Sequence, residues 1–226
     1  SEAAGRAAVH CVIIGFERAG GGAALLFDGT TSDTPRRVQN VNGYLMAAPS
    51  LFVGKRMSPL SPGLPEASFG NMPRDDGNLL VSRDELSDVM EDPIASRYIR
   101  PFLGADEVLN GKERWCLWLT GAPLEDLQKS PVIRERIAKV RAFRLRSSAA
   151  STRLMASTPQ LFGQRPAHYD TPYVVIPRVS SERRRYYAVR HVGPEVIASD
   201  ATFTASDPDG YLFAIISSSM FMAWQR

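Results

Sequence analysis

Residues 130–146, S-P-V-I-R-E-R-I-A-K-V-R-A-F-R-L-R, carry the clearest helix signal in this chain. The segment opens on serine and proline, which are favoured at the N-cap and at the first helical position. At about 100° per residue, Ile133, Ile137 and Val140 fall on one stripe that can face a core. The segment therefore predicts one long helix that packs by a single face.

Basic residues lie on both sides of that stripe. Arg134 and Arg141 flank it on one side, and Lys139 and Arg146 flank it on the other. Arg144 falls within the stripe, and burying an arginine is costly unless it is paired. We therefore expect Arg144 to face a cleft, an acidic partner or a ligand anion, with a structural ion pair as the alternative.

The chain opens with two strand-like segments. Residues 7–16 form a near-continuous apolar run, typical of a strand buried on both faces, and residues 23–27 predict a second strand. Because a buried strand needs neighbours and none precede it, we expect the chain to be cut from something larger. We expect a domain boundary after these segments, between residues 1–29 and residues 30–226.

Short elements are predicted between this opening and the long helix. Residues 30–77 are rich in turn residues, with short strands expected at 44–46 and 51–53. A serine and a glutamate at capping-box spacing predict a helix over residues 82–90. An aromatic-rich strand is expected at residues 114–119.

Strands are predicted again after the long helix. Residues 173–176 and 186–189 are strand-like and enclose the polar segment 178–185, R-V-S-S-E-R-R-R, which is expected to be a loop or hairpin of the kind that often binds ligands. Residues 214–224 predict a strand that runs into a helix. The whole pattern indicates an α+β fold, in which a mixed, interrupted β-sheet is braced by one long helix and several short ones.

Positive charge is concentrated in one part of the chain. Residues 131–190 contain thirteen Lys and Arg but three acids, so they carry +10, while the net charge of +3 leaves −7 on the rest. Twelve of the thirteen are arginine, whose planar guanidinium suits bidentate contacts with phosphate oxygens and with the guanine edge. The scarcity of local acids favours a basic face offered to nucleic acid over a solvated face with internal ion pairs.

Several kinds of site are excluded by spacing. His10, His168 and His191 are far apart, and Cys11 and Cys116 are too few for a disulfide framework or a cysteine-rich zinc site. No G-x-S-x-G elbow, Walker loop or G-x-G-x-x-G segment occurs. The sequence therefore predicts no metal site, no catalytic nucleophile and no nucleotide-phosphate site.

No segment predicts a membrane span or an export signal. The longest uncharged run near the C-terminus, residues 210–225, contains three serines and is shorter than the ~20 apolar residues that a membrane helix needs. We therefore expect a soluble, cytoplasmic protein without a membrane partner.

Two other functions stay open on the residues alone. A protein–protein interaction module would use the aromatic segments 115–118 and 220–224 as an apolar patch and leave the arginines solvated. A metal-dependent nuclease would need an acid followed by an acid-x-lysine motif. Asp170 followed by Glu182-Arg183-Arg184 is the nearest approximation, with arginine in the place of lysine.

Seven short segments occur together in an order that resembles one known family. They are Asn42-Gly43-Tyr44-Leu45, Phe69-Gly70-Asn71-Met72-Pro73, Tyr98-Ile99-Arg100-Pro101-Phe102, Arg114-Trp115-Cys116-Leu117-Trp118, Ile176-Pro177-Arg178-Val179-Ser180-Ser181-Glu182-Arg183-Arg184, Ile197-Ala198-Ser199-Asp200 and Ser217-Ser218-Ser219-Met220. In these segments the chain resembles the C-terminal part of the MmeI-like DNA methyltransferases, which include fused restriction–modification enzymes. The resemblance covers the target-recognition domain, from about residue 41 to the end. Two positions depart from the pattern: Asp76 replaces an expected glycine and Ala188 an expected proline.

The resemblance implies a fragment that recognises double-stranded DNA without catalysing a reaction. In that family the catalytic N-P-P-aromatic tetrapeptide and the S-adenosylmethionine pocket lie upstream, and neither motif occurs here. The complete protein is then expected to be an S-adenosylmethionine-dependent DNA-adenine methyltransferase, with or without a fused endonuclease. Residues 1–29 become the last strands of its methyltransferase domain, which is the expected protein partner.

From the residues and the resemblance together we predict a DNA-binding site without catalytic or metal-binding residues. The predicted DNA-binding residues are Lys139, Arg141, Arg144, Arg146, Arg153, Arg178, Ser180, Ser181, Glu182, Arg183, Arg184 and Arg185. The basic flanks of the long helix are expected to contact phosphates and set the register. Arginines of the 178–185 segment are expected to read guanine, and its glutamate to accept from the cytosine amino group. Some of these arginines are expected to be structural instead.

Overall fold

The computed structural model describes residues 12–16, 22–27, 34–50, 52, 54, 61, 63–181 and 184–225. The chain divides into two units, residues 1–58 and 59–226, and each is described by itself. The predicted domain boundary between residues 29 and 30 stays a prediction.

The first unit contains one pair of short strands. β1 (Ala24–Leu26) pairs antiparallel with β2 (Arg36–Val38), so a strand forms within the predicted segment 23–27. The described part of the other predicted strand, residues 12–16, has no regular secondary structure, and Ile13 is 98% exposed. The prediction of a buried strand is wrong there, because these apolar side chains have no layer to pack against; residues 7–11 lie outside the described part.

The strand predicted at residues 44–46 is a turn instead. Asn42 Oδ1 accepts hydrogen bonds from the backbone N–H groups of Tyr44 and Met46, at 3.0 and 3.1 Å. An asparagine side chain that satisfies backbone donors in this way competes with strand pairing. The second short strand was predicted at residues 51–53, of which 51 and 53 lie outside the described part.

The second unit holds the other elements. In chain order they are β3 (Ser68–Phe69), β4 (Leu80–Val81), α1 (Arg83–Glu91), β5 (Ile99–Leu103), α2 (Ala105–Asn110), β6 (Trp115–Leu117), α3 (Leu124–Lys129), α4 (Pro131–Arg146), α5 (Ala150–Leu154), β7 (Tyr173–Pro177), β8 (Arg190–Val192), β9 (Ile197–Ala198), β10 (Thr202–Ser206), α6 (Tyr211–Ile216) and α7 (Ser219–Gln225). No helix in the described residues is both long enough and apolar enough to cross a membrane.

The strands of the second unit form two four-stranded sheets. One has the order β3-β10-β7-β8 and is antiparallel throughout. The other has the order β4-β6-β5-β9 and is antiparallel except for the parallel pair β5 and β9. The prediction of an α+β fold with interrupted sheets, one long helix and several short helices is confirmed.

Two apolar clusters fill the second unit. The larger contains Leu117 of β6 together with Ile133 and Val140 of α4, all fully buried. The smaller contains Val108 of α2 and Val175 of β7. Because full burial of one such side chain contributes roughly 1.5–3 kcal/mol, the apolar stripe contributes strongly to the packing of α4.

The starts of α1 and α4 carry the caps that the sequence predicted. The Ser82 N–H donates to Glu85 Oε2 at 3.0 Å, and Ser130 Oγ accepts from the Ile133 N–H at 3.0 Å. Ser130 Oγ also donates to Asp92 Oδ2 at 2.5 Å. Burial raises the pKa of Asp92, but the hydrogen bonds that it accepts outweigh burial and hold the pKa below its usual value. The start of α4 is therefore fixed to the residue that ends α1.

Two predictions about the C-terminal part are wrong. The strand expected at residues 186–189 forms later in the chain, as β8 (Arg190–Val192), because those residues pair with β7. In the segment 214–224, residues 214–216 belong to α6 and residues 219–224 to α7, so the predicted helix is present but the predicted strand before it is not. The carboxylate of Asp207 accepts from the Leu212 and Phe213 N–H groups, at 2.9 and 3.0 Å. These bonds satisfy donors that a helix start leaves open, and the apolar pattern alone does not reveal them.

The residues after β3 link the two sheets of the second unit. The Gly70 N–H donates to the Thr202 carbonyl of β10 at 3.1 Å, and the Asn71 N–H donates to the Ala198 carbonyl of β9 at 2.7 Å. Asn71 is fully buried, and its side-chain amide donates to the carbonyls of Ala167 and Ala198. Two of the family-like segments, residues 69–73 and 197–200, therefore pair with each other where the two sheets meet.

The turn at residues 75–77 accommodates Asp76, one of the two departures from the family pattern. Asp76 has a φ of 55°, and Gly77 follows it with a φ of 79°. The left-handed conformation suits glycine, while aspartate tolerates it better than most other residues.

Replacing Asp76 with glycine is expected to raise the free energy of unfolding by about 0.5 kcal/mol, a small gain because glycine also loosens the unfolded chain. Replacing it with valine is expected to lower that free energy by ~1–2 kcal/mol, since a β-branched residue is strained at this φ. Urea unfolding measures both. A valine variant as stable as the unsubstituted chain would contradict the left-handed turn.

Candidate nucleic-acid interface

Arg144 of α4 is fully buried and engages only the backbone of its own chain. Its five N–H groups donate at 2.7–3.0 Å to the carbonyl oxygens of Pro73, Arg74, Met155, Thr158 and Leu161. Burial lowers the pKa of Arg144, and the nearby carboxylate of Asp75 opposes that shift. The expectation that Arg144 contacts DNA, a cleft or an acidic partner is therefore corrected, because carbonyl oxygens use all of its donors.

Other basic residues of α4 point to solvent. Arg141 and Arg146 are exposed. Lys139 is also exposed and pairs with Glu135 one turn earlier at 2.7 Å, which lowers the pKa of that carboxyl group. Pairs of this kind are weak and screened by salt, so a phosphate group can displace the carboxylate.

Arg153 of α5 is exposed but partly used within the chain. Its Nη1 donates to the carbonyls of Ser147 and Ser148, both at 2.8 Å. These bonds close the turn between α4 and α5 and hold the guanidinium beside the end of α4.

The segment after β7 is polar and exposed. Arg178 lies with its guanidinium over the rings of Phe69 and Phe203, at 5.1 and 6.0 Å from the ring centroids. Ser180 and Ser181 are exposed. Glu182 and Arg183, which the sequence also predicts to bind DNA, lie outside the described residues.

The last two residues of the predicted segment differ from each other. Arg184 is half-buried, and its Nη2 donates to the Leu109 carbonyl of α2 at 3.3 Å. Arg185 is exposed, with its guanidinium 5.5 Å from the centroid of the Tyr186 ring. Arg184 therefore has a structural contact, whereas Arg185 presents its charge to solvent.

The predicted residues, without Arg144, fall into two groups. The helix group is Lys139, Arg141, Arg146 and Arg153. The loop group is Arg178, Ser180, Ser181, Arg184 and Arg185. The structure brings Arg178 together with the aromatic residues of β3 and β10, and it places the helix group on α4 and α5.

Carboxylates pair mainly with other arginines. Among the described residues, Arg83, Arg97, Arg114 and Arg136 each pair with a carboxylate. Within the described part of the chain, Arg141, Arg146, Arg153, Arg178 and Arg185 form no such pair. Their charge is therefore available to an external anion, which is the property that a phosphate-binding surface needs.

Sequence reasoning missed the aromatic residues that support the loop group. Phe69 and Phe203 stand directly opposite each other on β3 and β10, with ring centroids 5.1 Å apart. Phe69 belongs to one of the family-like segments, but no periodicity connects it with a residue so distant in the chain.

Other chemistries find little support among the residues described. In those ranges, no three His, Cys, Asp or Glu side chains come close enough to hold a metal ion. Burial raises the pKa of the Cys116 thiol far above its usual value, which disfavours a thiolate near neutral pH.

Two surface depressions are lined largely by polar and charged residues, such as Arg83 and Lys112 in one and Asp76 and Arg136 in the other. Neither depression is the mainly apolar slot that an adenine ring needs, so these residues do not fit S-adenosylmethionine.

The apolar patch required by a protein–protein module is divided in this structure. Trp115 and Trp118 pack against the larger core cluster and do not form a surface patch. Met220 and Trp224 of α7 are exposed, at 80% and 77%. The two aromatic segments therefore do not act as one surface.

The described residues form an α+β domain with exposed arginines that have no carboxylate partner. Residues 47–226 match the family model described as MmeI, target recognition domain. The chain belongs to this family, as the resemblance predicted.

Two relatives support the assignment. The chain is 36% identical over 196 residues to DNA methyltransferase A of Bacillus subtilis (strain 168). This match covers 86% of this chain and 22% of that protein. The structure of this chain is similar to that of the Type IIL restriction-modification enzyme MmeI in complex with DNA, with a TM-score of 0.77 and 38% sequence identity. That match covers 85% of this chain and 26% of the other. The chain thus spans about a quarter of the length of these relatives.

Proposed function

We propose that this domain recognises a specific sequence in double-stranded DNA, as the target-recognition part of a methyltransferase in a restriction–modification system. The observation that carries the proposal is a set of exposed arginines without carboxylate partners in a chain of this family. The relatives support it, since one is a DNA methyltransferase and the other is an enzyme in complex with DNA.

The helix group is proposed to contact the phosphate backbone. Arg141 and Arg146 offer guanidinium groups that bind phosphate oxygens through charged hydrogen bonds. Such contacts orient the domain on the duplex but carry no sequence information. Because each neutralised phosphate releases counterions, binding through this group should weaken steeply with added salt.

The loop group, together with Glu182 and Arg183, is proposed to read base edges. An arginine can donate two hydrogen bonds to O6 and N7 of guanine, and a glutamate can accept from the amino group of cytosine. One such contact discriminates between bases by about 1–3 kcal/mol, so a few residues are enough for a short target sequence.

Methyl transfer is proposed to belong to the rest of the complete protein. S-adenosylmethionine would supply the methyl group there, and no step of that reaction is assigned to this chain. Residues 1–29 are proposed to complete the methyltransferase domain, which accords with the exposure of Ile13 and Phe16, at 98% and 92%. A cytoplasmic location is part of the same proposal, because genomic DNA is the substrate.

Two alanine variants separate the proposed roles. Arg141→Ala is expected to weaken binding to all duplexes about equally and to reduce the salt slope by about 1. Arg185→Ala is expected to relax the preference at one base pair, by ~1–3 kcal/mol. Selection from a random duplex pool, followed by anisotropy titrations at several salt concentrations, measures both effects.

The matched control is Arg83→Ala, since Arg83 is also exposed but is paired with Glu113 at 3.0 Å. Its binding is expected to equal that of the unsubstituted chain. If the Arg141 and Arg185 variants also behave like this control on every duplex, the proposed DNA contacts are wrong.

A further inference from the structure

One face of the β3-β10-β7-β8 sheet carries a row of apolar residues that the fold leaves partly open. Phe203 of β10 lies opposite Phe69 of β3 on one side and Ile176 of β7 on the other. Their neighbour Val175 points to the opposite face, into the smaller core cluster. Phe69 is 51% exposed, although a phenylalanine of a purely structural sheet is usually covered.

Arg178 lies on this open face and is held there by three kinds of contact. It follows β7 directly, and its side chain reaches the side of the sheet that carries Phe69 and Phe203. Its backbone N–H donates to the Ala201 carbonyl at 3.1 Å, and its Nη1 donates to the Asp200 carbonyl at 3.2 Å. Its guanidinium carbon lies 5.1 Å from the centroid of the Phe69 ring.

We propose that Phe69 is a specificity-positioning residue, which sets the orientation of the Arg178 guanidinium for reading a base edge. This inference rests on the proposed function. A ring packed against one face of a guanidinium leaves the N–H groups at its rim available, and arginine reads guanine with those groups. Because the side chain is already ordered, less conformational freedom is lost when DNA binds.

A merely structural role would have different consequences. If Arg178 only shields an exposed ring from water, loss of the ring would change stability and would affect all duplexes alike. A positioning role requires that loss of the ring lowers affinity for the preferred sequence and leaves the rest of binding unchanged.

Phe69→Leu is the decisive variant, because leucine keeps an apolar side chain and removes the ring. The probes are a duplex selected by the unsubstituted chain from a random pool and a scrambled duplex of the same composition. Affinity for the selected duplex is expected to fall about three- to fivefold, the size of an exposed cation–π contact, with affinity for the scrambled duplex and the salt slope unchanged. Phe69→Tyr, which retains the ring, is expected to bind as the unsubstituted chain does. Phe16→Leu is the matched control, since Phe16 is 92% exposed.

A second measurement uses the protein without DNA. The ring current of Phe69 should shift the NMR resonance of the Arg178 Nε–H group. That shift should decrease in Phe69→Leu, where only the Phe203 ring remains near the guanidinium, and persist in Phe69→Tyr. An Arg178 resonance that is the same in all three proteins would overturn the inference.

The outcomes also separate this inference from the proposed function. If the unsubstituted chain selects no sequence, the proposed function fails and the inference fails with it. If the chain selects a sequence but Phe69→Leu keeps the same preference, the inference alone is overturned. An equal loss on both duplexes, together with a lower melting temperature, also overturns it, because that pattern marks a structural role.

Discussion

Replacing Arg144 with methionine is expected to lower the free energy of unfolding by about 3–5 kcal/mol, the cost of breaking a buried charged network. The methionine fills part of the space but removes one donor from each of five carbonyl oxygens, on the segments around residues 73–74 and 155–161. The carbonyls of Pro73, Met155 and Thr158 keep a backbone N–H donor, whereas those of Arg74 and Leu161 depend on the guanidinium. A typical domain has only ~5–15 kcal/mol of stability in total, so this variant should unfold at a much lower urea concentration. Circular dichroism during urea unfolding measures the change.

Two further variants show whether the loss comes from those hydrogen bonds. Arg144→Lys keeps the charge but has three donors, so its loss is expected to be smaller, about 2 kcal/mol. Arg141→Met, one turn earlier on the same helix but exposed, is expected to change stability by at most ~0.5 kcal/mol. Equal stability of the methionine variants at 144 and 141 would contradict the role of Arg144 as the centre of this network.

Replacing Gly70 with alanine is expected to lower the free energy of unfolding by about 3 kcal/mol, through overpacking and lost hydrogen bonds. A Cβ atom at position 70 would stand 2.1 Å from the Ser199 carbonyl oxygen and 2.5 Å from its carbonyl carbon. Both are backbone atoms at the junction of the sheets, so neither can rotate away as a side chain can. The backbone must separate, which weakens the 2.7 Å bond from the Asn71 N–H to the Ala198 carbonyl.

Gly63→Ala is the matched control for this prediction. A Cβ atom at position 63 meets no atom within 4 Å, and its φ is not in the left-handed range. Alanine there is expected to leave stability unchanged or to raise it by up to ~1 kcal/mol, because it restricts the unfolded chain. If thermal melts give the Gly70 and Gly63 variants the same melting temperature, the two sheets are not closely packed at this junction.

The parts of the fold that the sequence predicted well are those fixed by local contacts. Helix α4 begins where its serine and proline predict, since Ser130 Oγ accepts from a backbone N–H three residues later. Strands β6 and β7 also follow their local composition. The start of α6 could not be predicted in this way, because Asp207 caps it from outside the helix, and β8 depends on pairing with β7.

The sequence predicts which residues supply the positive charge of the candidate site, but it does not predict the partner that each side chain binds. The position of Arg144 within the apolar stripe marks it as unusual, yet its partners are carbonyl oxygens, which every residue carries and which leave no mark in a sequence. Arg136, of the same basic region, binds Glu85 and the carbonyls of Asn78 and Leu80 and is unavailable to DNA. The partners of Arg178 come from two distant strands, so only the folded chain reveals them.

The most direct test of the proposed recognition of duplex DNA is the salt dependence of DNA binding by the unsubstituted chain. Titrations of a selected duplex and of a scrambled duplex, each at several salt concentrations, give the logarithm of affinity against the logarithm of salt. We expect tighter binding of the selected duplex at every concentration, and for both a linear decline with a slope of about −0.9 for each phosphate contacted. Affinities that do not change with salt, or that are equal for the two duplexes, would contradict sequence-specific recognition by the exposed arginines.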